Sequence, residues 1–329
     1  MSQATPSPNG NQALLLALFS ETSLHPGAGQ STGIVDLPVQ REKHTQFPIL
    51  PATGLKGSFR ELAEREWSKQ PDLCSVVFGP QVSAGQPLHA GALAFTDARL
   101  LAFPVRSLSE VFIWITCPLA LGRLCRDLAL AGHNGTGLYI PAVQTGKAVV
   151  PVVPGATSQA GQPPGSQHGQ LSGTLVLEDL SFQAVPDPQW GATAQSITSM
   201  LPSGAEHSYH RGKLACHLAV LHDDDFGYLV QHATPVTARI VLKDETKTSD
   251  NLWYEESIPA DTLFYCLVKP EQPRTAHGSL TSAAAVGKKF TELAGKQYLQ
   301  IGGNETVGQG WCAIRLVEWA TAVTPGKEK

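Results

Sequence analysis

At 329 residues the chain has room for one large domain or two ordinary ones, and enough length to bury a core. Its 42% hydrophobic content excludes a disordered chain, its six scattered cysteines exclude a disulfide scaffold, and no apolar run reaches the ~20 residues of a membrane helix. The formal charge of −4 counts against binding nucleic acid by bulk positive charge and leaves local cation clusters and backbone amides as the means.

Residues 1–11 read as a disordered leader without a basic n-region. Ala13–Ser20 is an apolar run suited to a buried strand, and a loop rich in Gly, Ser and Thr follows from Ser23 to Gly33. Gln46–Pro51 is a short apolar stretch fenced by prolines. Thr53 has the chemistry of an N-cap, and Leu55, Phe59, Leu62, Ala63 and Trp67 recur at helical spacing, which predicts a helix over Gly54–Lys69. Strands are expected at Ala90–Ala102 and Val111–Pro118, joined by Phe103–Ser109.

From Val143 to Gly173 the chain reads as one long loop, an insertion or a functional excursion. A strand is expected over Leu175–Ala184 and loose chain over Val185–Gly204. Ala233–Lys243 and Asn251–Glu256 flank a polar connector and predict a β-hairpin, and Asn304–Arg315 ends in strand-like alternation. Strands and helices without regular alternation imply an α+β fold, and the cysteines read as reduced thiols of a cytoplasmic protein.

Four cations (Arg41, Lys43, Lys56, Arg60) against one anion (Glu42) lie between Leu37 and Arg60. Lys56 and Arg60 share a helical face near a helix start, where an anion such as phosphate is favoured; the alternative is a solvated face with Arg60 paired to Glu64. His25 and Asp36 are the ionisable residues of the Gly-rich loop. A loop Asp can bind a divalent metal and a His can move protons near neutral pH, but both also serve ordinary turns. His217, His222, Asp223, Asp224, Asp225 and His232 have metal-binding side chains without a standard metal spacing. They leave a soluble metallohydrolase open as a separate reading beside a polar loop. IGGNETVGQG (301–310) can lay backbone amides on phosphates or form a tight turn, and it lacks the Lys-Ser/Thr of a P-loop.

Segment 24–60 resembles the amino-terminal signature of the backbone subunit of the Cmr (type III-B) CRISPR effector complex, within the RAMP superfamily. It carries His25-Pro26-Gly27, then Val35-Asp36-Leu37-Pro38-Val39-Gln40-Arg41-Glu42, His44-Thr45 and Leu55-Lys56-Gly57-Ser58-Phe59-Arg60. Further matches are Thr96–Leu101 leading into Phe103–Ser107, Asp244–Thr248 followed by Leu252–Glu256, and the closing Gly-rich loop.

The resemblance implies a modified ferredoxin-like (RRM-like) core over 12–318. Loops are inserted near 143–173, a thumb hairpin lies near 233–259, and residues 319–329 form a tail. It implies a metal-dependent endoribonuclease that binds CRISPR guide RNA, stacks head to tail with further copies of itself beside other Cmr subunits, and cuts target RNA at regular intervals. The alternative within the family is a non-catalytic guide-RNA scaffold. Asp36 matches the family's essential aspartate and is the expected ligand of a divalent ion (Mg or Mn) or base. His25 is expected in proton transfer or phosphate contact, with Glu255 and Glu256 completing the site from a neighbouring copy. RNA contacts are expected from Arg41, Lys43, His44, Lys56, Arg60, Arg106 and glycines 302, 303, 308 and 310. No membrane partner is implied.

Overall fold

The computed structural model describes residues 12–81, 88–133, 137–152, 170–275, 277–278 and 280–319. The strands are β1 (Leu14–Ser20), β2 (Ile49–Leu50), β3 (Leu93–Phe95), β4 (Ala98–Ser107), β5 (Val111–Thr116), β6 (Lys147–Pro151), β7 (Thr174–Leu177), β8 (Leu180–Asp187), β9 (Leu218–Leu221), β10 (Val236–Leu242), β11 (Ser249–Glu256), β12 (Leu263–Pro270), β13 (Tyr298–Gln300) and β14 (Trp311–Val317). The helices are α1 (Ala52–Glu66), α2 (Pro71–Phe78), α3 (Pro118–Leu130), α4 (Pro188–Ile197), α5 (Ser208–His217), α6 (Asp223–His232) and α7 (Ala283–Ala294). The fold is mixed α+β. One 12-stranded sheet runs β13-β14-β1-β12-β4-β5-β9-β6-β8-β7, with β2 beside β4 and β3 beside β12, and β10–β11 form a separate pair.

β1 shows why its sequence is continuously apolar rather than alternating. Leu16 and Leu18 enter one core with Phe59, Phe264 and Phe290, while Leu15, Ala17 and Phe19 enter a second with Trp114, Trp190 and Tyr265. Period-2 side chains with both faces covered give an unbroken apolar run. On the first face α1 buries Leu55, Phe59, Leu62 and Ala63, as its spacing predicts.

Several elements differ from the sequence expectations, each for a local reason. α1 begins at Ala52 after Pro51, so Thr53 is inside the helix; its first amide is satisfied from a distance by Asp97 Oδ1, 2.8 Å from Ala52 N. Phe103–Ser107 continues β4 because Phe103 and Val105 are buried, and the turn is confined to Leu108–Glu110. The single strand expected over Leu175–Ala184 is the hairpin β7–β8, turning at Glu178 (φ +50). The stretch 185–204 holds α4, started by Asp187 accepting from Gln189 N (2.8 Å) and Trp190 N (3.2 Å) with Pro188 in the first turn, a signal carried by the Asp-Pro pair. β6 lies within the stretch expected to be loop from 143 to 173; residues 153–169, the leader 1–11 and the tail beyond Trp319 lie outside the described residues.

Cys74, Cys117, Cys216, Cys266 and Cys312 are buried, and burial pushes each thiol up. Among the described residues no helix is long and apolar enough to cross a membrane.

The expected hairpin is present, paired from Val236↔Glu256 to Leu242↔Ser249 with a bulge between Val241 and Leu242. Cross-strand partners share a face, so the register puts Val236, Ala238, Ile240 and Leu242 with Leu252, Tyr254 and, buried at the base, Glu256; beyond Glu256 this face is mostly apolar and exposed. The opposite face carries Thr237, Arg239, Val241, Asn251, Trp253 and Glu255.

Candidate nucleic-acid site at the hairpin base

The loop from Glu21 to Pro48 is laced to the structure by single bridges: Leu24 to Ile258, Gly27 to Val39, Leu37 to Glu255 and Arg41 to Pro48. Its central part adds itself, parallel, to the base of β11. Asp36 N and Leu37 N both donate to Tyr254 O (3.1 Å each), Glu256 N donates to Leu37 O (3.0 Å), and the Asp36 side chain takes Tyr254 N on Oδ2 at 2.7 Å. One Asp36 oxygen therefore holds the hairpin. Asp36 lines an open cleft of about 430 Å³ with Gln30, Ser31, Leu37, Asn251, Leu252 and Trp253.

His25 is fixed from the other side. Its Nδ1 lies 2.7 Å from Glu256 O, and a carbonyl can only accept, so Nδ1 carries the proton and Nε2 is left for other partners. A β-carbon on Gly27 would stand 3.0 Å from Nε2, so glycine there keeps that nitrogen approachable. The Gly-rich loop closes over the His25 backbone: Gly303 N donates to His25 O at 2.9 Å and Gly310 N to Ser23 O at 2.9 Å. Asn304, in the left-handed region at φ +63, donates its side-chain amide to Glu255 Oε1 and, at 2.9 Å, to Gln309 Oε1. The signal for Asn304 was its place beside a Gly-Gly pair, since Asn is the non-glycine residue that adopts this conformation most readily.

Gly302 is required by approach as well as by its φ of +84: a β-carbon would lie 2.6 Å from His25 O. Gly302→Ala should therefore displace His25 and cost about 1–3 kcal/mol of stability by overpacking. A thermal or denaturant melt checks this, and an unchanged midpoint would contradict it.

Glu255 and Glu256 are buried at the base of the hairpin and bonded within their own chain. Glu256 Oε1 accepts from Arg41 (2.5 Å) and Thr234 (2.6 Å), and Oε2 accepts from Val39 N (2.9 Å). Glu255 Oε1 faces Asn304 and Arg239. The Arg41 guanidinium is spent inside the protein, also donating to Gln46 O (2.8 Å) and Val230 O (3.0 Å).

The remaining candidates do not join this cluster. Lys56 Nζ donates to Leu93 O at 3.0 Å, and burial, followed by the charge of Arg60, lowers its pKa. Arg60 pairs with Glu64 at 3.0 Å in its own helix, and Arg106 with Glu178 at 3.2 Å. Lys43 and His44 are exposed on the turn that follows Glu42. Burial opposes ionisation of Glu42, but hydrogen bonds from Thr45 and Arg123 prevail and hold its carboxyl below the usual range. Gly308 faces open space.

In the 217–232 group, His222, Asp223 and Asp225 are bound to backbone amides. His222 accepts from Asp224 N, Asp223 accepts from Leu119 N at the start of α3, and Asp225 accepts from Gly146 N. His217 lies apart against Lys213 O and Glu110, and His232 stacks on Tyr228. Among the described residues no group of three or more His, Cys, Asp or Glu could hold a metal ion, which removes the residue basis of the metallohydrolase reading.

The RAMP superfamily model matches residues 20–313. A CRISPR system Cmr endoribonuclease, Cmr4 of Pyrococcus furiosus, is 34% identical over 309 residues, covering 93% of this chain and 96% of its own. The CMR subunit Cmr4 of Saccharolobus solfataricus is 25% identical over 324 residues, covering 89% and 93%. The crystal structure of oligomeric Cmr4 from Pyrococcus furiosus superposes with a TM-score of 0.67 at 29% identity, over 95% of this chain and 99% of that one. A type III-B Cmr-beta complex bound to cognate target RNA contains a chain of the same fold, with a TM-score of 0.68 at 18% identity over 94% of this chain and 98% of that one.

Proposed function

The chain belongs to the RAMP superfamily, and on that footing we propose that it is the target-cutting backbone subunit of a Cmr-type (III-B) CRISPR effector complex, an endoribonuclease of antiviral defence working in the cytoplasm. The observation that carries this reading is the convergence of His25, Asp36 and the Gly-rich loop on the base of one projecting hairpin, in a chain this similar to a Cmr endoribonuclease.

In this reading the sheet contains a ferredoxin-like core and the hairpin is its thumb. Copies stack head to tail along a guide RNA, beside the other Cmr subunits. Base pairing reads the target sequence, so the protein needs only backbone contacts and shape, which suits a chain with few free cations near the site. A two-stranded hairpin alone is marginal in water, and its face of Val236, Ile240, Leu242, Leu252 and Tyr254 is exposed. Burial of that face against duplex or a neighbouring copy is what assembly supplies.

The RNA brings its own nucleophile. The 2′-oxygen attacks the adjacent phosphorus, the bond to the next nucleotide's 5′-oxygen breaks, and a 2′,3′-cyclic phosphate and a 5′-hydroxyl result. Asp36, through the oxygen not held by Tyr254, takes the 2′-hydroxyl proton; His25 keeps its Nδ1 proton on Glu256 O and, with the ring doubly protonated before the cut, delivers the second proton from Nε2 to the leaving 5′-oxygen. Splaying the nucleotide to align attack supplies much of the rate.

A single carboxylate cannot hold a resident metal, but Mg or Mn binds through one or two carboxylates and completes its shell with water and phosphate. Asp36 fits that role as the alternative to acting as base, with the RNA phosphate as co-ligand, and the ion would there offset charge on the phosphate oxygens. The test is reconstitution with guide and target. The complete complex should cut at regular intervals, and leaving this chain out should remove every one of those cuts. Regular cutting without it would overturn the reading.

A further inference from the structure

Three consecutive residues at the base of β11 each hold a different part of the site. Tyr254 holds Asp36 through its amide and carbonyl, Glu255 holds Asn304 through its carboxylate, and Glu256 holds His25 through its carbonyl. The first and third links tie the two ionisable groups to one strand. The middle link ties that strand to the Gly-rich loop, which itself grips His25 O through Gly303 N and Ser23 O through Gly310 N. Asn304 thus closes a ring: hairpin base, Gly-rich loop, His25 loop, hairpin base.

We infer that Asn304 is a positioning residue for RNA cutting, acting through Glu255 to hold the hairpin base, and with it His25 and Asp36, in register with the bound strand. The inference rests on the endoribonuclease reading above. It assigns Glu255 an orienting role: its carboxylate is buried, with Oε1 taken by Asn304 and facing Arg239 at 3.4 Å. Asn304 keeps its left-handed backbone by its own turn, with Val307 N and Gln309 N both donating to Asn304 O at 3.1 and 3.2 Å. Its side chain is therefore presented to Glu255 at little further conformational cost. Asp tolerates the same backbone region, so Asn304→Asp changes the donor to an acceptor and leaves the turn intact.

The experiment uses the reconstituted complex, with single-turnover cutting and target affinity measured across pH. Two cutting controls separate this inference from the reading beneath it: the wild-type complex must cut and Asp36→Asn must not. Asn304→Asp should slow cutting about 10–100-fold at pH 7.5, the scale of a small misplacement, with target affinity within about two-fold. Its deficit relative to wild type at the same pH should shrink as pH falls, because a proton shared between two facing carboxylates restores a donor.

Glu255→Gln retains an acceptor for Asn304 and should stay within about three-fold of wild type, the loss of a charge-assisted but not of a neutral hydrogen bond. The double variant Asn304→Asp with Glu255→Gln reverses the bond and should recover most of the rate, without the recovery at low pH. Failure of the single Asn304→Asp variant to assemble, with the double variant assembling and cutting, would support the same bond. Wild-type cutting by Asn304→Asp, a deficit that does not change with pH, a double variant no better than the single, or loss of cutting in Glu255→Gln would each overturn it.

Discussion

Replacing Asp36 with Asn should reduce target cutting by about 10²–10⁴-fold, the range of a lost proton-transfer group, while guide binding and assembly persist. Asn keeps an oxygen for Tyr254 N, so the 2.7 Å contact that pins the loop to the hairpin survives. The backbone pairing of Asp36 and Leu37 with Tyr254 and Glu256 is untouched. What is lost is the charge on the second oxygen, and with it both basicity and affinity for a divalent ion. The measurement is single-turnover cutting beside guide affinity. If regular cuts continue at near wild-type rate with the variant incorporated, the carboxylate is a hairpin anchor only and the chemistry belongs to the RNA geometry.

The site was legible where short-range signals carry chemistry and illegible where partners come from far along the chain. His25, Asp36 and the Gly-rich loop stand out as residue types in a pliant context, and the structure brings them to one place. Glu256 and Arg41 are 215 residues apart in sequence, and no local pattern pairs a cation in one loop with a carboxylate at a strand end. Cations near a predicted helix start read more readily as phosphate contacts than as a paired face, yet Lys56 is taken by a backbone carbonyl and Arg60 by the acid one turn on.

The same distinction runs through the fold. β1, α1 and the hairpin follow from period and composition. α4 lay behind an Asp-Pro start that a Gly- and Pro-rich neighbourhood obscured, and the acids at 223–225 read as a turn because the amides that Asp223 and Asp225 hold lie in other segments. α1 takes its cap from Asp97, 45 positions away, so its start could not be placed from Thr53.

Arg41→Ala and Glu256→Ala should each cost about 3–5 kcal/mol, because each leaves its partner charged, desolvated and unpaired. The pair is 2.5 Å apart with side chains only 14% and 8% exposed, and it anchors the loop bearing Asp36 to the segment between α6 and β10 through Thr234. Denaturant unfolding of the isolated chain gives the magnitude, and the double variant should lose much less than the sum, since removing both charges leaves neither stranded.

The same variants decide whether Arg41 meets RNA. A phosphate contact would lower the slope of log affinity against log salt by about one when removed, uniformly across guide sequences. A clamp would leave that slope unchanged while affinity falls only as far as the fold is lost. The geometry points to the clamp: both terminal nitrogens already donate within the protein, to Gln46 O, Val230 O and Glu256 Oε1. A reduced salt slope in Arg41→Ala at temperatures where it remains folded would show that the guanidinium leaves those partners for the guide.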